Sequence, residues 1–328
     1  MCTAITYQTK DFYFGRNLDL ECSYNETVTV TPRNYPFIFR NGSFLQNHYA
    51  MIGMATVCND YPLYYEATNE KGLSMAGLNF PCNAVYYNQT SGKENITPFE
   101  LIPWVLSQFE SVAEAKEAFS GINLWKLSFN DRYPLSPLHW ILCDRSSCLV
   151  LEPMEDGLRI YENPIGVLTN NPPFDYHIHN LANYLNLTSM PPKNRFSAKV
   201  DLKPFSLGMG AIGLPGDPSS PSRFVRAAFT KMNSISGNSE AESIGQFFHI
   251  LGSVEQQRGV TNVRAEEYEY TRYSSCCNTD KGIYYYTTYE NRQISAVDMF
   301  SEDLETESLI RFQLMEKEQI YKQNGGRP

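Results

Sequence analysis

The chain of 328 residues has no block of lysine and arginine. Its 27 basic side chains are scattered and outnumbered by 36 acidic ones, for a net charge of −9. Proteins that grip nucleic acid need a basic stripe to neutralise phosphates, so RNA and DNA are excluded as main partners. No apolar run approaches the roughly 20 residues that cross a bilayer, so no membrane span is expected. The start lacks a basic segment followed by an apolar one. A cytoplasmic location is therefore the expectation, and the Asn-X-Ser/Thr triplets at Asn25, Asn41, Asn88, Asn95 and Asn186 read as chance matches. Histidine is scarce, with five in all, and the eight cysteines make no C-x-x-C pair. That spacing disfavours a metal site. His177 and His179, close to Asp175, could supply half of one, but they read better as part of a polar loop. Neither internal repeats nor low-complexity linkers are present.

Apolar residues make up 42% of the chain and aromatic residues 13%, ample for a large core. The first third alternates apolar and polar residues in the manner of strands: TAITYQT, DFYFGRNLD, TVTVTPRN, HYAMIGMATV and GLSMAGLNF. The period then changes. TPFELIPWVLSQFESVAEAKEAFSGI predicts one helix, capped by Thr97, with Pro98 at its first position and Gly121 at its end. Strands return in LHWILCD, CLVLEPMEDGLRIYEN and IGVLTNN, with a hairpin turn at Asp156-Gly157. DYHIHNLANYLNL predicts a short helix, and two longer helices follow in SPSRFVRAAFTKMNSI and EAESIGQFFHILGSV. Strands close the chain in YEYTRYSSCCNT, GIYYYTTYEN and QISAVDM, before a polar tail, disordered from about residue 318 to 328. Terminal strands so far apart in sequence are expected to share sheets. That makes residues 1–328 one interlocked domain.

Cys2 stands where removal of Met1 would leave a thiol and a free α-amino group on one residue. The thiolate is the nucleophile of cysteine chemistry, and an α-amino group titrates near pH 7.7–8.0 when unperturbed, so it can serve as base beside the thiol. Such a site also needs an anion near the amine, a cation near the sulfur and donors for an oxyanion. Taken singly, the other candidates have ordinary readings: an exposed ion pair for Arg16 and Asp19, turn residues beside prolines for Asn79 and Asn170, and an exposed first helical turn for Arg223.

Five pieces in order, MCTAI, FGRNLD, GLSMAGLNFP, GVLTNNP and SPSRFVRAAF, resemble the choloylglycine hydrolase family, the bile salt hydrolases and penicillin V acylases among the N-terminal-nucleophile hydrolases. The resemblance runs from Cys2 to YYYTTYENRQISAVDM. It implies a four-layer αββα sandwich, α+β in class, with two mainly antiparallel sheets between helix layers, and commonly a homotetramer of bacterial origin. It implies further that Cys2 is the nucleophile, with its own amine as base. Arg16 would favour the thiolate and Asp19 would bond the amine. Asn79 would give a backbone N–H, and Asn170, not its neighbour Asn171, a side-chain N–H to the oxyanion, with Arg223 completing the charge network. No metal or organic cofactor is implied.

Asn79 after AGL inclines the resemblance to the bile salt branch, whose members hydrolyse glycine- or taurine-conjugated bile acids. A steroid acyl group needs an apolar trough. Aromatic and aliphatic residues in three segments expected to be loops are its candidate walls: Tyr24; Tyr61, Leu63 and Tyr65; Phe129, Leu135 and Leu138. Penicillin V acylase is the rival within the family. A glutamine amidotransferase, a papain-like enzyme using Cys143 or Cys148, and a non-catalytic bile-acid-binding protein are rivals outside that activity. Cys82, near Asn79, is the other cysteine expected to show thiol reactivity.

Overall fold

The structure is a computed structural model and describes residues 1–325. Along the chain, its two large sheets take β1 (Cys2–Gln8), β2 (Phe12–Leu20), β3 (Thr27–Thr31), β4 (Met51–Cys58), β5 (Tyr61–Asn69), β6 (Ser74–Asn79), β7 (Leu138–Cys143), β8 (Cys148–Met154), β9 (Gly157–Glu162), β10 (Val167–Leu168), β11 (Thr261–Arg264), β12 (Glu267–Asn278), β13 (Ile283–Thr288), β14 (Ser295–Asp298) and β15 (Ile310–Gln313). The α-helices are α1 (Leu101–Gln108), α2 (Val112–Ala118), α3 (Phe174–Asn180), α4 (Ser220–Asn233) and α5 (Glu240–Gly252). The first sheet runs β10-β1-β2-β12-β13-β14, with β11 paired onto β12, and the second runs β9-β8-β7-β6-β5-β4-β3-β15.

Strand periodicity sorts the apolar side chains between two cores. In β6, Ala76 and Leu78 face one way and Met75 the other; in β7, Ile141 and Cys143 oppose Trp140 and Leu142; in β8, Val150 opposes Leu149 and Leu151. The first set joins Ile5 and Phe14 of the other sheet and reaches Phe224 of α4 and Phe247 of α5. The second set packs on Leu101 and Val105 of α1 and Val112 of α2. The layers are thus helix, sheet, sheet, helix: the αββα sandwich.

Several expectations are corrected. The single helix over 97–121 is two, because Phe109 is extended and Ser111 starts a new helix by accepting the Glu114 N–H at 3.3 Å. Thr97 does not cap it; its N–H and hydroxyl both bond the Glu100 carboxylate in the turn before Leu101. The segment with Tyr61, Leu63 and Tyr65 is strand β5, not a loop. Asn59 and Asp60, both at positive φ, make the tight turn that returns the chain from β4. The polar tail contains β15, which pairs with β3 because Ile310 and Phe312 pack against the inter-sheet core. His177 and His179 lie on α3, not in a loop. Of the tail, Gln323–Gly325 form a 3-10 turn, and residues 326–328 lie outside the described residues.

Candidate active site

Pairing of β10 with β1 sets Leu168 opposite Ala4, so Thr169 and Asn170 run on past Thr3 and Cys2. The first turn of α4 arrives at the same place. Ser220 Oγ lies 2.8 Å from the Asn170 N–H that it accepts and 2.9 Å from Thr169 Oγ1. This fixes both the strand end and the helix start.

Arg223, fully buried, projects from that turn. Its Nη1 donates to the Cys2 carbonyl at 2.5 Å and to Thr3 Oγ1 at 2.7 Å, its Nη2 to Asn170 Oδ1 at 2.7 Å, and its Nε to the Pro218 carbonyl at 2.9 Å. Asn170 Oδ1 also accepts the Cys2 N–H at 2.9 Å, and Asn170 Nδ2 donates to the Asn79 carbonyl at 2.7 Å. Four of the six residues expected in the machinery are therefore joined directly. Asn171 points elsewhere, its Nδ2 donating to the Pro81 carbonyl at 2.6 Å.

Asn79 ends β6. The Phe80 N–H bonds the Pro137 carbonyl at 2.7 Å, which makes Asn79 and Leu138 a non-hydrogen-bonded pair and turns the Asn79 N–H away from β7. On its other side the β5–β6 register ends at Glu66 and Ala76. Tyr65 is the extra residue of a bulge there. Arg16 fills the splay, with Nη1 donating to the Gly77 carbonyl at 2.6 Å and the Tyr65 carbonyl at 3.1 Å. It is wholly buried, 3.8 Å from Glu66. Burial works against its charge, but the neighbouring Cys2, Tyr273, Glu66 and Asp19 outweigh that and push its pKa up. Arg16 Nη2 has no hydrogen-bond partner among the described residues. Glu66 sits between the sheets and accepts from Tyr273, Ser275 and Tyr284, and burial raises its pKa.

Asp19 is also buried. Its Oδ1 accepts from Thr271 at 2.6 Å, its Oδ2 has no partner among the described residues, and burial raises its pKa. Its backbone N–H bonds the Met1 carbonyl at 3.0 Å, which sets it against the Met1–Cys2 peptide. The Met1 ammonium pairs with Glu269 and donates to the Asp19 carbonyl at 3.0 Å; burial lowers its pKa.

The expected wall residues divide. Tyr61 and Phe129 pack with Phe99, and Tyr133 links Phe129 to Tyr24. Tyr65 ties this group to the site: its hydroxyl bonds Thr56 Oγ1 at 3.0 Å, which in turn donates to the Tyr24 carbonyl at 3.3 Å, and its own carbonyl accepts from Arg16. Leu135 and Leu138 pack against the outer core, and Leu138 belongs to β7 and not to a loop. Leu63 is half-buried in β5. Two surface clefts of about 470 Å³, one beside Tyr7 and Lys231 and one at residues 194–201, contain none of these residues.

Among the other cysteines, Cys143 is buried opposite Cys148, and burial pushes its thiol well up; no histidine bonds to either among the described residues. Cys82 is exposed at positive φ. Among the described residues no His, Cys, Asp and Glu group could hold a metal, and no helix is long and apolar enough to cross a membrane.

Glu66, His139 and Glu152 border this site but are not singled out by the sequence motifs. A signal exists all the same: each is an ionisable residue inside an otherwise apolar strand, a placement that needs a buried partner.

The profile described as "Linear amide C-N hydrolases, choloylglycine hydrolase family" matches residues 2–312. A "Bile salt hydrolase/transferase" of Lactiplantibacillus plantarum is 56% identical over 324 residues, which cover 99% of this chain and 100% of that protein. One of the same name from Clostridium perfringens is 40% identical, over 93% and 94% of the two chains. A crystal structure of a conjugated bile acid hydrolase variant from Clostridium perfringens superposes with a TM-score of 0.91 at 38% identity, covering 98% of this chain and 100% of that one. A penicillin V acylase from Agrobacterium tumefaciens shares the fold, with a TM-score of 0.73 at 20% identity over 95% and 91% of the chains.

Proposed function

The chain belongs to the choloylglycine hydrolase family of linear amide C–N hydrolases, and from that premise we propose that it hydrolyses glycine- or taurine-conjugated bile salts, with Cys2 as an N-terminal nucleophile. The observation that carries this reading is the constellation of buried Cys2, Asn170 and Arg223 with the carbonyl of the exposed Asn79, bonded atom to atom. Its chemistry requires loss of Met1. Asp19, whose backbone N–H bonds the Met1 carbonyl and whose buried Oδ2 has no partner among the described residues, would accept from the new ammonium.

The reaction then runs in two halves. The Cys2 sulfur adds to the amide carbonyl as its amine takes the thiol proton. The second Nδ2 hydrogen of Asn170 and the Asn79 N–H stabilise the oxyanion, and Arg16 offsets the charge of the thiolate. The ammonium protonates the departing nitrogen, so the C–N bond breaks and leaves a thioester. Water, deprotonated by the same amine, releases the bile acid and restores the thiol. The aromatic group of Tyr24, Tyr61 and Phe129, with Tyr65, would line the steroid, with Leu63, half-buried in β5, and Leu135 and Leu138, packed on the outer core, as its aliphatic contribution. The name of these relatives adds transfer, in which an amine would replace that water.

A cytoplasmic homotetramer is part of this proposal. Leu185, Phe196, Phe205 and Leu207 are all more than 80% exposed in the irregular segment before α4, apolar surface that a second copy would cover.

The test measures amino-acid release from glycocholate and taurocholate, beside penicillin V, by protein whose intact mass shows Met1 gone. Release of glycine or taurine with slower penicillin V cleavage supports the reading. Cleavage of none of them by protein with a free Cys2 would overturn it and leave a scaffold either specialised for another amide or one that only binds.

A further inference from the structure

His139 of β7 touches both arms of the oxyanion site proposed above without belonging to either. Its ring stacks on Phe80, the residue after Asn79, with centroids 4.2 Å apart and planes at 5°. Its Nε2 lies 3.0 Å from the carbonyl of Thr169, the residue before Asn170. Its Nδ1 lies 3.1 Å from Glu152 Oε1, which also accepts the Phe174 N–H at 2.9 Å. Both side chains are fully buried.

The bonding is unusual, because both ring nitrogens face oxygens. A carbonyl only accepts, and so does a carboxylate. A neutral imidazole has a single N–H and would leave one nitrogen lone pair against an acceptor. The ring meets both contacts only when it carries two hydrogens, or when Glu152 supplies the second. Either way an ionisable pair shares a proton in the core, and breaking such a pair from one side is costly. An apolar pair of similar shape would fill the space without that cost, so packing alone does not account for it.

We propose that the His139–Glu152 pair is a positioning device that sets the spacing between the Asn79 backbone and the Asn170 side chain. One ring face fixes the β6 end and one N–H fixes the strand beyond β10. Glu152, through Phe174, ties the start of α3 to the same point. The inference rests on the oxyanion reading of Asn79 and Asn170. The pair touches no reacting atom, so it acts on the transition state through those two residues.

The test uses mature protein with the variants His139→Gln and Glu152→Gln. In the first, the shorter amide can reach one partner but cannot span two. The second keeps the shape of the carboxylate while removing its charge, so one variant remains informative if the other does not fold. Rates are counted per reactive Cys2, from alkylation of the Cys2-containing peptide by iodoacetamide, a reaction that builds no oxyanion. The expected result is a kcat for glycocholate lower by about 10- to 100-fold, less than loss of a direct donor. KM should stay within about twofold and the alkylation rate should be unchanged. In a cycle with Asn170→Ala, the losses should be less than additive. A kcat per site within about threefold of the parent, or a loss that appears in alkylation or KM instead, would overturn the proposal. If Asn170→Ala itself leaves kcat intact, the oxyanion reading falls and this one with it. If Asn170→Ala is slow and the His139 and Glu152 variants are not, this one falls alone.

Discussion

Arg223 Nη2 donates to Asn170 Oδ1 at 2.7 Å, and this contact, with the Cys2 N–H on the same oxygen and the Asn79 carbonyl on Nδ2, sets which way the Asn170 amide points. A guanidinium has no acceptor, so the amide oxygen must face it and the NH2 must face Asn79. One Nδ2 hydrogen is spent on the Asn79 carbonyl and the other is left to donate. Two residues with ordinary roles in isolation thus produce one oriented donor.

Replacing Arg223 with methionine keeps much of the volume and removes the charged donor that helps hold that orientation. We expect kcat to fall about 100-fold, the scale seen when an oxyanion donor is lost, with KM little changed. Steady-state kinetics per reactive thiol check this; a rise in KM at constant kcat would assign Arg223 to substrate binding instead.

Arg16 and Glu66 are buried together, and the arginine also satisfies two strand carbonyls. Arg16→Leu strands the carboxylate and should cost about 3 kcal/mol. Cys2→Ala removes one sulfur and should cost no more than about 1 kcal/mol while abolishing turnover. Urea unfolding of the two variants compares them. Equal midpoints would mean that Glu66 is not relying on Arg16.

The aromatic group gives a prediction of a different kind. Phe129 meets Tyr61, Phe99 and Tyr133, and Arg40 lies 5.2 Å from its ring centroid. If this wall holds the steroid, Phe129→Ala removes binding shared by ground and transition states. KM for glycocholate should then rise about tenfold at unchanged kcat. An unchanged KM would move the steroid elsewhere.

The residues that the structure brings together are legible in sequence to different degrees. The strands bearing Cys2, Arg16 and Asp19 show the period of two, and the helix of Arg223 shows its own period. Their convergence is not legible from pattern, since Cys2 meets Asn170 across 168 positions; it comes from the resemblance of ordered motifs. Strand β5 escapes the pattern because Pro62 and consecutive tyrosines suggest a loop, yet Pro62 sits near the strand's start, where a lost N–H is tolerated. The helix over 97–121 reads too long because its apolar spacing continues through Phe109, while Ser111 restarts the chain as a cap. Glu66, His139 and Glu152 show what period alone cannot supply. An isolated charge in an apolar strand announces a partner without naming it.

His177 carries a prediction about acid stability. Its Nε2 donates to the Asn170 carbonyl at 2.9 Å, its ring stacks on Phe224, and its Nδ1 has no partner among the described residues. Burial, with His139 and Arg223 adding repulsion, lowers its pKa from 6.5 to about 4. The folded protein therefore keeps the ring neutral where the unfolded chain protonates it. A pKa depressed on folding gives stability that is full above 6.5 and is lost as pH falls toward 4. Between about pH 7 and pH 5 the loss from this one residue is about 2 kcal/mol. His177→Phe keeps the stack on Phe224 and removes the titration. Urea unfolding of parent and variant at both pH values isolates the effect, because every other group titrates in each. The variant should be the less stable at pH 7, having lost the bond to Asn170, and should lose about 2 kcal/mol less on acidification. Equal losses in the two proteins would show that His177 is protonated in the fold as readily as outside it.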